Sequence, residues 1–433
     1  MLPNILDCLP LLLATPGLVS LVAAQSQQVI APPSAPAHID EATIQAALDA
    51  HSDPVDAYLA IHPEAADELA EPRLLRVAGK EAQWMTEGDK MRLRREGLFF
   101  MDITDHEEYY AQHAANAATA GKAHLPDIRY QGSVKRLFPK ISTDRMRDIL
   151  EHLTSYFQRS YWTTLGETSS VWIHDYVADI IREAPFHTHI SLEYFTHPFP
   201  QSSIIARFEP KIRNFSAPVT VIGAHQDSAN YVFPLLAAPG ADDDGSGSVS
   251  ILEAFRVLAE SGFVPKDGPV EFHWYAAEEG GLLGSQRVAR WMKESGRTIG
   301  AMMEFDMTAF IARNATETIG LIKTEADADL TDWVQNLANE YLSIKAHVYE
   351  LGAGAGSDYM SFTNLGFPSS FASEGNPMKG GFPGEFDPYV HTTKDRIDVD
   401  DENGYFSFDH MARFSELAIA FAIEQAGWDN QWR

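Results

Sequence analysis

Two adjacent acids, Glu278 and Glu279, follow an apolar run, Pro269-Val270-Glu271-Phe272-His273-Trp274-Tyr275, that reads as a buried strand. Ala276 and Ala277 join them to it, Gly280 and Gly281 come next, and a helical pattern over 282–292 follows. Burying even one carboxylate is costly unless a cation or a proton satisfies it. Acids are also common at helix N-termini, so on this stretch alone a solvated cap is as good an account as a site. Four other stretches carry the side chains that bind divalent cations. Gly223-Ala224-His225-Gln226-Asp227-Ser228 sets His225 and Asp227 two apart, on one side of an extended chain. A carboxylate there can accept the second ring proton of a metal-bound imidazole. Asp242, Asp243 and Asp244 stand in a row among glycines before a helix start, more acid than a cap requires. The apolar run over 301–307 carries Asp306 at its end, and His391 opens the loop His391-Thr392-Thr393-Lys394-Asp395.

Two histidines and several carboxylates at strand ends form a mixed nitrogen and oxygen ligand set suited to zinc. One Asp of the triplet, with Glu279 and Asp306, would leave two zinc dications with one positive charge, which a hydroxide cancels; hydroxide is the nucleophile a hydrolase needs near neutral pH. Glu278, beside a ligand but not itself bound, is then placed to act as general base.

The elements that must hold these groups alternate along the chain. Residues 218–224 are almost all β-branched or small, as in a central strand buried on both faces. Further strands are expected over 189–195, 203–208 and 300–307, and helices over 141–157, 168–182, 245–259, 330–341 and 402–426. This alternation predicts a single three-layer α/β/α sandwich around a central, largely parallel, mixed sheet.

Composition narrows the setting. Sixty-one acids against 33 bases give a net charge of -28, which argues against nucleic acid or an anionic membrane as partner. Residues 9–24 are apolar, short for a membrane span, and end in the small residues Val22-Ala23-Ala24. Residues 1–24 therefore read as a signal peptide, although a basic lead is missing, and the protein is expected to be secreted. Pro10 and Pro16 argue against a soluble helix there. The single cysteine, Cys8, lies inside this signal, so the mature chain is expected to hold no disulfide.

Residues 25–37 form a polar, Pro-rich lead, and 38–69 are acidic and helix-like with a break at Asp53-Pro54. A basic cluster, Lys90-Met91-Arg92-Leu93-Arg94-Arg95, follows. An acidic, helix-prone segment ahead of the dibasic pair Arg94-Arg95 predicts a propeptide over 25–95 and a catalytic domain over 96–433. A helical appendage that is never removed is the alternative. Asn214-Phe215-Ser216 and Asn314-Ala315-Thr316 are glycosylation sequons.

Taken in order, Gly223-Ala224-His225-Gln226-Asp227-Ser228, Pro239-Gly240-Ala241-Asp242-Asp243-Asp244, Ala276-Ala277-Glu278-Glu279-Gly280, Asp306-Met307-Thr308 and His391-Thr392-Thr393-Lys394-Asp395 resemble the motifs of a known family. From residue 128 onward the chain is similar to the secreted di-zinc leucine aminopeptidases of fungi and bacteria. The resemblance implies two zinc ions per chain, one held by His225 and Asp306, the other by Glu279 and His391, with Asp243 bridging. It also implies a cis Asp243–Asp244 peptide, Glu278 as general base, supporting roles for Asp227, Asp244 and Asp358, and a monomer acting on peptides with a free N-terminus. Met307 and apolar residues over 380–389 are expected to line a pocket for a Leu-like side chain.

One stretch departs from the family. Where members carry two cysteines flanking a Gly-Tyr pair, this chain has Gly352-Ala353-Gly354-Ala355-Gly356-Ser357-Asp358-Tyr359. The family's disulfide is lost, and Gly354 stands where a substrate-binding tyrosine is expected, which predicts a more mobile loop and a reshaped pocket. Two rival readings keep the scaffold: a single-zinc cyclase acting on N-terminal Gln, and a catalytically inactive binding protein. His187 and His189, two apart, could hold a metal of their own but lack nearby acids. His273 reads as a satisfied core residue, and Trp291, Trp333 and Trp428 as packing on helical stripes.

Overall fold

Three strands buried along their whole length lie side by side at the centre of the protein. The computed structural model describes residues 39–111, 122–214, 216–352 and 354–429. The expected signal peptide over 1–24 with Cys8, the lead over 25–37, Phe215 of the first sequon and Ala353 lie outside the described residues.

The first strands, β1 (Pro72–Val77), β2 (Gln83–Thr86) and β3 (Phe100–Asp102), form a small antiparallel sheet of order β2-β1-β3. The main sheet contains β4 (Ile190–Phe195), β5 (Ser203–Phe208), β6 (Val219–His225), β7 (Val270–Tyr275) and β8 (Ile299–Phe305). After a short strand β9 (Phe310–Ala312) it adds β10 (Thr318–Ile322), β11 (Lys345–Tyr349) and β12 (Ser369–Ser373). Its order is β11-β10-β12-β8-β6-β7-β5-β4. The pairs β11·β10, β12·β8, β8·β6 and β6·β7 are parallel, and β10·β12, β7·β5 and β5·β4 are antiparallel. The mixed sheet with a parallel centre agrees with the sequence reading.

Helices cover both faces. On one face α6 (Gly247–Glu260), α8 (Ala328–Tyr341) and α10 (Phe408–Ala426) pack with α4 (Thr143–Ser155) and α5 (Thr164–Glu183). On the other lie α7 (Leu283–Glu294) and α9 (Tyr359–Thr363). The period of two along each strand divides the core between these layers. Ile222 and Ala224 of β6 join the first cluster, Val219 and Val221 the second. No helix among the described residues is long and apolar enough to cross a membrane.

The closing helix begins later than the expected 402. Residues Gly404–Phe406 form β13, antiparallel to β9. Gly404 allows this close pairing, since a Cβ there would lie 2.2 Å from the Phe310 ring. Ser407 then caps α10 by accepting a hydrogen bond from the His410 N–H at 3.2 Å.

The N-terminal segment holds α1 (Glu41–Ala50), α2 (Pro54–Ile61) and α3 (Glu87–Arg95). The expected break at Asp53-Pro54 is a cap: Asp53 accepts from the Val55 N–H at 2.8 Å. Strand β1 pairs with β3, so the ladder runs between residues on either side of Arg95. Leu74, Met101 and Ile103 enter the second core cluster with Val288 and Met292 of α7.

Candidate metal centre

With β6 between β8 and β7, the carboxyl ends of three parallel strands stand together, the usual location of sites in open α/β sheets. His225 is the last residue of β6, Asp306 directly follows β8, and Glu278 and Glu279 lie just beyond β7. Asp242, Asp243 and Asp244 occupy the turn that starts at Gly240, whose φ is 55°, and leads into α6. His391 reaches the same place from the loop before β13. Ala277, Met307 and His391 all have positive φ, 58° in each case, which turns the chain sharply at the strand ends.

Residues distant in sequence meet here through Asp243. Its Oδ1 lies 3.0 Å from His225 Nε2 and its Oδ2 lies 2.6 Å from His391 Nε2. Asp306 Oδ1 is 3.8 Å from His225 Nε2, and Glu279 Oε2 is 3.7 Å from His391 Nε2. Among the described residues, two groups of donor atoms lie within 4.8 Å of one another: His225, Asp243 and Asp306, and Asp243, Glu279 and His391. Glu279 Oε2 and Asp306 Oδ1 are buried without a hydrogen-bond donor. Bare buried carboxylate oxygens beside imidazole nitrogens are destabilising unless a cation joins them. The donor set and these orphaned oxygens fit two divalent ions that share Asp243.

Surrounding groups fix the ligands. The Asp227 carboxylate accepts from the N–H groups of Glu278 at 3.0 Å and Glu279 at 3.2 Å. The His225 ring is oriented as much by the Asp227 carbonyl, 3.2 Å from Nδ1, as by its carboxylate at 3.5 Å, on which the sequence reading relied. Asp244 accepts from the N–H groups of His225, Gly247 and Met307 at 3.1, 2.8 and 3.2 Å, tying the ends of β6 and β8 to the start of α6. The Asp243–Asp244 peptide is cis. Both oxygens of Asp358 are buried without a donor, so no hydrogen bond links it to a ligand.

Two supporting roles have no counterpart in the sequence analysis. Asp395 accepts from the Asp242 and Asp243 N–H groups at 2.7 and 3.2 Å. Arg159, fully buried, donates to the carbonyls of Gln226 at 2.9 Å and Gly240 at 2.8 Å. No local pattern marks Arg159, because these two partners lie 67 and 81 residues away.

A cavity of about 300 Å³ opens onto the centre, lined by Asp243, Glu278, Asp306, Met307 and His391 on one side. Leu351, Phe371, Phe382 and Phe386 form its apolar wall. Met307 thus lines this cavity. Gly354 lines a narrow cleft with Glu278 and Glu279, and the loop residue on the main cavity is Gly356. The β1–β2 turn explains this: at Gly354, with φ 75°, a Cβ would lie 2.0 Å from the Gly79 nitrogen. Gly97, Leu98 and Phe99 also line the main cavity, with Phe99 edge-on to Phe382 at 6.0 Å. Arg94 donates to the Glu279 carbonyl.

Burial pushes the Glu278 carboxyl well above its usual range; His225 opposes this and the neighbouring Glu279 adds to it. For His391, burial disfavours the charged ring, but Glu279 and Asp243 outweigh it and raise the imidazole to about 9. Outside the centre, His187 and His189 join neither donor group. His273 is satisfied in the core, with Nδ1 2.9 Å from the Tyr275 hydroxyl and Nε2 2.9 Å from Glu271. Trp333 donates to the Pro126 carbonyl, Trp428 packs on Phe263, and Trp291 lies under Arg297. Asn214 and Asn314 are exposed.

The pattern of Peptidase family M28 matches residues 203–414. The protein named Leucine aminopeptidase 1 of Chaetomium globosum is 39% identical over 370 residues, covering 84% of this chain and 87% of that one. Its namesake from Trichoderma harzianum is 38% identical over 374 residues, 84% and 89% of the two chains. Among solved structures, the LapA aminopeptidase of Legionella pneumophila superposes with a TM-score of 0.68 at 27% identity, covering 84% of this chain and 96% of its own.

Proposed function

The chain belongs to peptidase family M28, and we propose that within it this aminopeptidase is secreted and removes Leu-like N-terminal residues from peptides at a centre of two zinc ions. The observation that carries the reading is the joining of two donor groups through Asp243 at the mouth of an apolar cavity. His225 and Asp306 would hold one ion, Glu279 and His391 the other, and Asp243 both. Zinc bound there supplies Lewis acidity, polarising the scissile carbonyl and making water acidic enough to lose a proton near neutral pH.

The protein's own groups do the rest. Glu278 takes the proton of the attacking water as its oxygen bonds to the carbonyl carbon. The carbon–nitrogen bond then breaks, and Glu278 returns that proton to the departing amine. Asp227 holds Glu278 in register with the ligand Glu279 by binding both backbone N–H groups. The wall of Leu351, Phe371, Phe382 and Phe386 receives an apolar side chain, and the carboxylates at the cavity mouth attract the substrate's α-ammonium group. Hydrolysis of a Leu anilide, but not of its N-acetylated form, tests this reading; equal cleavage of both overturns it.

The same reading makes residues 25–95 a propeptide. Its support is the packing of the stretch around Arg95 on the site: Arg94 bonds the Glu279 carbonyl, and Gly97 to Phe99 wall the cavity. N-terminal sequencing of secreted protein is expected to find a start just after Arg95; a mature chain beginning at Gln25 refutes processing there.

A further inference from the structure

Tyr231 touches the candidate ligand His391 twice. Their rings stack, with centroids 3.7 Å apart and planes 10° from parallel. The Tyr231 N–H also donates to the His391 carbonyl at 2.9 Å. His391 needs such restraint, because its φ of 58° is a conformation that a non-glycine residue keeps only when its surroundings impose it. His391 arrives from a loop rather than from the end of a strand, so the sheet that fixes His225 does not fix it. Tyr231 also lines the cavity beside Glu278 and Asp243.

We infer that Tyr231 is the positioning residue for His391, its flat ring setting the plane of the imidazole and its N–H setting the loop, so that Nε2 faces Asp243 and Glu279. This rests on the two-ion reading of the centre. The ring face and the N–H orient His391, while the hydroxyl interacts with Glu279. Loss of a group that orients a metal ligand weakens metal binding by about 10–100-fold. Because His391 belongs to one donor group only, the loss should fall on one of two ions.

The test uses the full chain loaded with zinc and titrated against a chromogenic chelator. In Tyr231→Leu and Tyr231→Met, one zinc equivalent is expected to weaken by about 10–100-fold while the other holds, and excess zinc is expected to restore kcat. Tyr231→Phe, which keeps the ring face and the N–H, should lose less zinc affinity than either aliphatic variant. Urea unfolding of the metal-free proteins establishes that the variants fold. Unchanged zinc binding in both aliphatic variants, or Tyr231→Phe as weak as they are, overturns the inference while leaving the centre standing. A parent chain that takes up no zinc overturns the centre, and the inference with it.

Discussion

Lys90 Nζ lies 2.6 Å from Asp102 Oδ2, and neither side chain is more than 3% exposed. The same ammonium reaches Glu87 at 3.0 Å, so one cation from α3 neutralises two buried acids, one of them on β3. Replacing Lys90 with Met would take from Asp102 its close cation, leaving Arg73 at 4.0 Å, while Glu87 keeps Arg73 at 2.6 Å. Breaking a buried pair by removing one partner costs about 3–5 kcal/mol, so Lys90→Met should lower stability by that amount in urea unfolding. A variant as stable as the parent would show that the pair contributes nothing to docking the N-terminal segment.

Glu278→Gln preserves size and the N–H to Asp227 but removes the proton acceptor. Zinc content should be unchanged while kcat falls by about 10²–10⁴, measured by elemental analysis beside Leu anilide hydrolysis. Retained turnover would falsify its role as base.

Chelation should abolish activity and zinc should restore it, with two equivalents bound per chain. Close to one equivalent, together with cyclisation of N-terminal Gln, would favour the single-zinc reading. Zinc uptake without any hydrolysis would favour an inactive binding protein.

Acid should weaken the fold through two buried histidines. Burial, with the Arg287 charge nearby, holds the His106 imidazole down to about 4 and that of His197 down to about 3. An unfolded imidazole protonates near pH 6.5. Between these values the unfolded chain binds more protons, so the stability these residues contribute is complete above about pH 6.5 and is lost on descending through 4 and then 3. Each histidine adds a slope of at most about 1.4 kcal/mol per pH unit. His197→Phe should flatten the dependence of the urea midpoint between pH 6.5 and 4, compared in chelator throughout. Parallel curves for parent and variant would refute this.

The centre of the fold was legible because β6, β7 and β8 are continuous apolar runs that no surface strand would carry. The candidate ligands were legible only from the five motifs together, since acids at a strand end also suit a solvated helix cap, and the choice of Asp243 within its triplet came from the family resemblance. The small sheet was not: β2 reads Gln83-Trp84-Met85-Thr86, short and half exposed, and it exists only because β1 offers an edge to pair with. The start of α10 was read too early because the acids over 400–402 imitate a helix cap, whereas Gly404 lets the chain close against Phe310 instead. Roles such as those of Asp395, Arg159 and Tyr231 arise from contacts across long stretches of chain, which no spacing rule records.

Asp243 gives one oxygen to the neighbourhood of each histidine. Were both positions to take an ion, their occupancy would be linked: whatever draws its carboxylate toward one side would alter the hold on the other, and by the same factor in both directions. Loading should then follow a cooperative or anticooperative isotherm rather than two separate ones. A scarcity of metal would leave a population of half-filled or wholly filled molecules according to the sign of that coupling.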